Sequence, residues 1–284
     1  MSPTTRVSFR LAGERQPLIL IPTRVNRRGP YAFVLDTGAG TCVVSETLAQ
    51  ELALERRGKA SGHGAAGEVH VTLAGAAAVA VGEMEIPEVE LAIADLGVIA
   101  QAVRAHLDGV LGYSFLRHLR LTIDYAAHSL TLSRGDGAAE PGPAGDAIPF
   151  RISDPAKPLV VVPGRANDAR DLALVVDTGA SICVISPGMA DDLGLSTREI
   201  GPLTGGGGGG KIAASASQLR SLALGNARLE SVDVVVSDFL STLGEKLGQR
   251  LDGVVGHNFL RHFDVTFDYP RGLLGLEPAA GRAC

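Results

Sequence analysis

An all-β fold with a few short helices, built as two similar lobes, is the fold class that the 284-residue sequence predicts. Three observations carry it. Apolar, β-branched runs bounded by Gly, Pro, Asn and Asp recur along the chain, as buried or half-buried strands do. The chain also repeats itself. PLILIPTRVN (17–26) returns as PLVVVPGRAN (158–167), and VLDTGAGTCVVS (34–45) returns as VVDTGASICVIS (175–186) with eight of twelve residues identical. LDGVLGYSFLRHLRLTIDY (107–125) returns as LDGVVGHNFLRHFDVTFDY (251–269) with twelve of nineteen identical. Between the copies lies SRGDGAAEPGPAGDAIP, too rich in Gly, Pro and Ala to pack, which reads as a linker. The expected organisation is an N-terminal lobe at 1–135, a linker at 136–150 and a C-terminal lobe at 151–284. The period is far too long for a solenoid or propeller, so this is a duplicated domain.

In chain order, LILIP and YAFVL are strands leading to Asp36, and CVVS is the strand that follows. Ser45 is a helix N-cap, with Leu48 and Leu52 spaced i and i+4 behind it. The copy closes on a hairpin, LRLTIDYAAHSLTLS. The second copy reads LVVVP, LALVV, Asp177, CVIS, then Ser186 as N-cap with Pro187 at the first helical position, where its missing N–H costs nothing. It closes on FDVTFDYPRGLLGLE. Each copy is thus expected to be mostly strand with one short helix, with a further helical turn at Asn258-Phe-Leu-Arg.

Composition excludes several functions. With 26 Lys+Arg against 31 Asp+Glu and a net charge of -5, no basic footprint exists for nucleic acid or an anionic membrane surface. The polar start reads as no secretion signal, and the longest apolar run, VTLAGAAAVAVG, is well short of the roughly 20 residues of a membrane span. A cytoplasmic setting is the default expectation, a periplasmic one if the start is misassigned. Cys42, Cys183 and Cys284 are too few and scattered for a disulfide scaffold or a zinc site, and Cys42 and Cys183 are expected as small buried hydrophobes. His118 and His262 recur after Phe-Leu-Arg, but no HxxxH or HExxH pattern exists, so no metal is expected.

The chemistry is carried by Asp36-Thr37-Gly38-Ala39 and Asp177-Thr178-Gly179-Ala180, each between two apolar strands. A lone Asp-Thr-Gly reads as a turn. Two copies in the same context read differently, because a two-fold relation between lobes brings both carboxylates to one place, where they share a proton. Asp108 and Asp252, each before a Gly, are expected to bond backbone in turns, and Asp124 and Asp268 to cap hairpins. The Gly205–Gly210 run reads either as a flexible linker or, from its place between the Asp-Thr-Gly and Asp-Gly-Val blocks, as a flap. With Lys211 it approaches a phosphate-binding loop, but Ile212 stands where Ser or Thr is needed.

The ordered pair of hydrophobic-hydrophobic-Asp-Thr-Gly-Ala and Asp-Gly-Val-x-Gly-x-x-Phe-Leu, present in both halves, resembles the aspartic proteases of the retropepsin and pepsin superfamily, in particular bacterial retropepsin-like proteases. The resemblance covers nearly the whole chain. It implies a bilobal acid-protease fold, two tandem retropepsin-like β-barrel lobes forming an intramolecular pseudo-dimer, and an endopeptidase acting on polypeptide as a monomer. A homodimer in which each half pairs with the same half of another chain is one alternative; a peptide-binding or assembly module that does not cleave is another. Asp36 and Asp177 match the catalytic pair, which holds one water and needs no cofactor. Thr37 and Thr178 match the threonines that brace the two loops, and Gly38 and Gly179 the glycines beside the substrate. Ala39 and Ala180 stand where pepsins have Ser or Thr and offer the carboxylates no hydroxyl, which predicts a mildly acidic optimum. Val43, Val110, Leu111, Val184, Val254 and Val255 match the apolar subsite walls, with Tyr113, Phe115 and Phe259 as the nearest aromatic candidates. Gly62 and Gly64 in SGHGAAGE, and Gly205, Gly206 and Gly207, fall at flap positions, which lack the tyrosine of pepsin-like flaps.

Overall fold

The computed structural model describes residues 4–14, 16–64, 67–134, 147–154, 157–204 and 211–279. In the first lobe, Leu18–Val25 and Arg28–Leu35 form an antiparallel hairpin, with Leu20 opposite Val34. The next strand, Cys42–Ser45, does not join that hairpin directly. Gly109–Leu111 lies between them, parallel to Arg28–Leu35 and antiparallel to Cys42–Ser45. The loop carrying Asp36 therefore crosses the end of a fully buried strand. The second lobe repeats this arrangement. There, Gly253–Val255 separates Ala169–Val176, to which it is parallel, from Cys183–Ile185, to which it is antiparallel.

A third sheet joins the lobes. Its order is Thr4–Ser8, Ser129–Arg134, Leu119–Asp124, Phe263–Asp268, Leu273–Pro278, Ile148–Pro149. At its centre Thr122 faces its own repeat equivalent, Thr266, and their hydroxyls lie 2.9 Å apart. An antiparallel pair in which equivalent residues face each other has a two-fold axis through that point. The two hairpins expected to close the copies thus meet back to back. Most of the expected linker, 135–146, lies outside the described residues; its end is strand, since Ile148 and Pro149 pair with Leu274 and Leu273.

The near-continuous apolar runs follow from burial on both faces. Side chains alternate along a strand. Ile19, Ile21, Phe33 and Leu35 enter the large shared core, while Leu18, Leu20 and Val34 enter a second cluster with Leu96, Val103 and Val110. The second lobe divides the same way, with Leu159, Val161, Val175 and Val254 packed on Leu240 and Leu251.

Six short helices occur among the described residues: α1 (Glu46–Glu51), α2 (Gly97–Val103), α3 (Tyr113–Leu116), α4 (Pro187–Asp192), α5 (Phe239–Leu247) and α6 (His257–Leu260). The Ser45 and Ser186 hydroxyls accept the Leu48 and Met189 N–H groups, at 3.1 and 3.2 Å, as the sequence predicts for α1 and α4. Among the described residues each lobe holds three helices; α6 is the further turn expected at Asn258-Phe-Leu-Arg, while α2, α3 and α5 go beyond what was expected. Two reasons account for the difference. α2 has no side-chain cap and carries three β-branched residues, Val98, Ile99 and Val103, so packing rather than local propensity makes it helical. α5 did carry a signal, Asp238 before a Phe239/Leu240/Leu243/Leu247 stripe and a left-handed Gly248 after it. No helix among the described residues is long and apolar enough to cross a membrane.

Candidate active site

The two Asp-Thr-Gly loops meet at the two-fold axis. Asp36 N–H donates to Leu111 C=O and Asp177 N–H to Val255 C=O, both at 3.0 Å, which ties each loop to the strand it crosses. The threonines then tie the loops to each other. Thr37 N–H donates to Thr178 Oγ1 at 3.1 Å and Thr178 N–H to Thr37 Oγ1 at 3.0 Å. Each hydroxyl passes its own proton across the interface, Thr37 to Val176 C=O and Thr178 to Leu35 C=O, both at 2.9 Å. Both threonines are buried, so all four bonds are shielded from water.

The glycines set the spacing of the acids. Gly38 N–H donates to Asp36 Oδ1 and Gly179 N–H to Asp177 Oδ1, each at 2.8 Å. A Cβ on Gly38 would stand 2.6 Å from Asp177 Oδ2, and one on Gly179 2.6 Å from Asp36 Cγ, so any larger residue would push the pair apart. Gly112 and Gly256 explain the second half of the motif. A Cβ there would lie 2.4 Å from Thr41 C=O or 2.6 Å from Ala180 C=O, because the Asp loops fold directly over them.

The carboxyl groups face the cleft on one side and are enclosed by protein on the others. Burial lifts both above the usual carboxylate range. Mutual repulsion adds to this at Asp177, which is pushed up to about 8, and a hydrogen bond between the two carboxyls favours charge on Asp36. The pair therefore holds one shared proton.

A cleft of about 1840 Å³ opens over the pair, beyond the roughly 300–1,000 Å³ of small-ligand pockets. Val43, Val110, Val184 and Val254 line it, as do Ala39 and Ala180. Leu111 and Val255, expected in the walls, instead point to the core at 1% exposure, because adjacent residues of a strand face opposite ways. Phe115 and Phe259 are likewise core residues, and Tyr113 packs on Tyr269. The aromatic wall residue is Phe239, at the start of α5. Exposed Leu73, Val98 and Ile200 stand on the rim. Gly62 and Gly64 lie in the hairpin of Arg56–Gly64 with Gly67–Ala74, opposite Val69 and Gly67, and Ser61, Val69 and Val71 of that hairpin line the cleft. Gly205, Gly206 and Gly207 lie outside the described residues, between the paired strands Leu203–Thr204 and Lys211–Ile212.

The other acids serve the backbone. Asp108 and Asp252 accept the Ala32 and Ala173 N–H groups at 2.8 Å, and Asp124 and Asp268 accept those of Ala127 and Arg271. No cluster of metal-binding side chains occurs among the described residues. Cys42 and Cys183 are free and buried, each accepting a glycine N–H, from Gly112 at 3.3 Å and Gly256 at 3.4 Å. Burial raises both thiols, Cys183 to about 12. Neither is expected to react with iodoacetamide at pH 8 until the protein is unfolded, which peptide mass spectrometry checks.

Sequence reasoning missed the groups that reach the pair across the lobe boundary. Tyr125 and Tyr269, each three residues past its paired threonine, pack edge-on against His257 and Tyr113 of the opposite lobe, at 5.2 and 5.8 Å. Negative charge on Asp177 reaches both tyrosines, whose buried hydroxyls have no hydrogen-bond partner among the described residues. Lys157 lies in the cleft within electrostatic reach of both aspartates. The identical Ile/Phe-Asp-Tyr endings of the two copies pointed to the tyrosines; for Lys157 the signal was its mismatch with Gln16.

The family model described as Aspartyl protease matches residues 162–259, and the one described as "gag-polyprotein putative aspartyl protease" matches residues 21–118. Each match begins in the first long strand of a lobe and takes in the Asp-Thr-Gly loop and the short helix after Asp-Gly-Val-x-Gly. No curated protein matches the chain. With one such domain in each of its two lobes, the chain belongs to the retropepsin-like aspartic proteases.

Proposed function

We propose that the chain is an aspartic endopeptidase that hydrolyses peptide bonds through one water held between Asp36 and Asp177, with no cofactor or metal. The supporting observation is the reciprocal bracing of the two loops, which sets both carboxyls against each other on a cleft floor. Ionised Asp36 takes a proton from the water as its oxygen attacks the scissile carbonyl, and protonated Asp177 donates to the carbonyl oxygen. As the tetrahedral intermediate collapses, Asp36 returns its proton to the leaving nitrogen, the C–N bond breaks, and Asp177 recovers its own. One water is consumed, yielding a carboxyl and an amine.

The substrate is an extended polypeptide with apolar residues flanking the cut, since Val43, Val110, Val184, Val254 and Phe239 surround the pair. The paired strands Arg56–Gly64 and Gly67–Ala74, and in the second lobe Leu203–Thr204 and Lys211–Ile212, act as flaps that pair with substrate backbone. One chain holds the whole pair, so a monomer suffices.

The pH dependence has a fixed sign. Below the raised pKa of Asp36 both groups are protonated and no base remains; above about 8 both are ionised and no acid remains. Cleavage of unfolded casein, followed from about pH 3 to 9, is expected to peak between about pH 4 and 7 and to be blocked by pepstatin. An optimum below about pH 3 would overturn the burial argument. A chain inert at every pH that still binds peptide would be a binding module.

A further inference from the structure

The two-fold symmetry of the pair is broken at one charged position. Gln16 precedes PLILIP and Lys157 precedes PLVVVP, so the two are equivalents, and both line the cleft. Lys157 is half-buried at the start of Lys157–Ala166. Its neighbour Pro158 presses on the Asp36 loop of the opposite lobe, with Cδ 3.0 Å from where a Cβ on Gly40 would lie. The equivalent of Gly40 in the second copy is Ser181, which carries the side chain that Gly40 lacks. Lys157 lines the same cleft as the two aspartates, and the charges acting on it are those of Asp36 and Asp177. Asp154 pairs in register with Lys157 on the neighbouring strand, while Arg57, His70, Glu90, Asp95 and Lys246 belong to the other cleft walls. Beneath the pair, Tyr125 and Tyr269 are held far above the usual phenol range by burial and are neutral throughout the working range.

We propose that Lys157 is the counter-ion of the aspartate pair, a positioning residue that keeps the pair singly protonated at lower pH than the two carboxyls would by themselves. The proposal rests on the protease reading above. A singly protonated pair carries one negative charge, and a buried charge without a partner is costly. One ammonium makes the site neutral. It takes the part of the hydroxyl donors that Ala39 and Ala180 lack. Burial lowers the Lys157 pKa from the ordinary lysine value, and the two carboxylates oppose that.

The test uses Lys157→Met, Lys157→Gln and Lys157→Arg in the full chain, with near-ultraviolet circular dichroism to check folding. Two readouts are taken: the pH profile of kcat/KM on an apolar peptide, and the NMR titration of ¹³C-labelled aspartate carboxyls. Loss of the charge is expected to move both limbs of the profile, and the titration of the pair, upward by about one pH unit, with Arg restoring the wild-type positions. If Met does not fold, Gln, the residue native to the equivalent position, carries the test. Limbs and titrations that stay in place while the rate falls would overturn the proposal. So would a selective loss of cleavage of Glu-containing peptides with unmoved limbs, which would make Lys157 a substrate contact. Should wild type cut nothing while the titration shifts, the counter-ion stands and the protease reading falls. Cleavage with unshifted titrations gives the reverse.

Discussion

Asp177→Asn is expected to lower peptide hydrolysis by about 10⁴-fold and, at pH 8, to make the protein more stable. The loss follows from removing the proton donor to the carbonyl. The gain follows from linkage. The folded-state pKa of Asp177, about 8, lies above its ordinary value of 3.8. A group raised in this way favours folding fully only below the unfolded value, and that contribution is lost as pH climbs toward the folded one. Asparagine, neutral at every pH, escapes the loss. At least about 1 kcal/mol at pH 8 is expected, roughly 2 °C or more in Tm for a chain of this size. At pH 4 the two proteins should melt together. Asp36→Asn should be equally inert, since it removes the base. An active Asp177→Asn protein would remove the pair from the mechanism. A Tm difference that is the same at both pH values would refute the burial argument.

Thr37→Val is expected to destabilise the protein by about 2–4 kcal/mol and to reduce kcat with it. Valine fits the space but leaves the buried Thr178 N–H without its acceptor and Val176 C=O without its donor. An unpaired buried group costs about 1–3 kcal/mol. The damage falls on the joint between lobes rather than on either core, so the relative position of Asp36 and Asp177 is what shifts. Thr178→Val should match it through Thr37 N–H and Leu35 C=O. The double variant should cost less than the two singles together, because loss of either threonine already loosens the joint that the other braces. Urea denaturation of all three closes the cycle, and strict additivity would mean that the two threonines do not act as one brace.

The repeat made the fold legible. Alternation placed the strands, Ser45 and Ser186 placed two helices, and the duplicated Asp-Thr-Gly placed the candidate acids. Three kinds of feature were not legible. Which face of a three-residue strand meets the cleft depends on register, so Val110 and Leu111 looked alike until pairing with Arg28–Leu35 separated them. α2 is made helical by what it covers, and its β-branched residues argue for strand when taken alone. Lys157, Tyr125 and Tyr269 reach the aspartates only once the lobes are docked, and no local pattern encodes that distance.

The self-facing Thr122 and Thr266 mark where two identical chains would have met. Separate chains must accept every substitution twice, once in each subunit. A tethered pair is free of that rule, and this chain departs from symmetry at the cleft: Lys157 against Gln16 and Ser181 against Gly40. A peptide has direction, with different residues before and after the bond to be cut. Joining the halves lets each end of the bound peptide meet its own set of side chains.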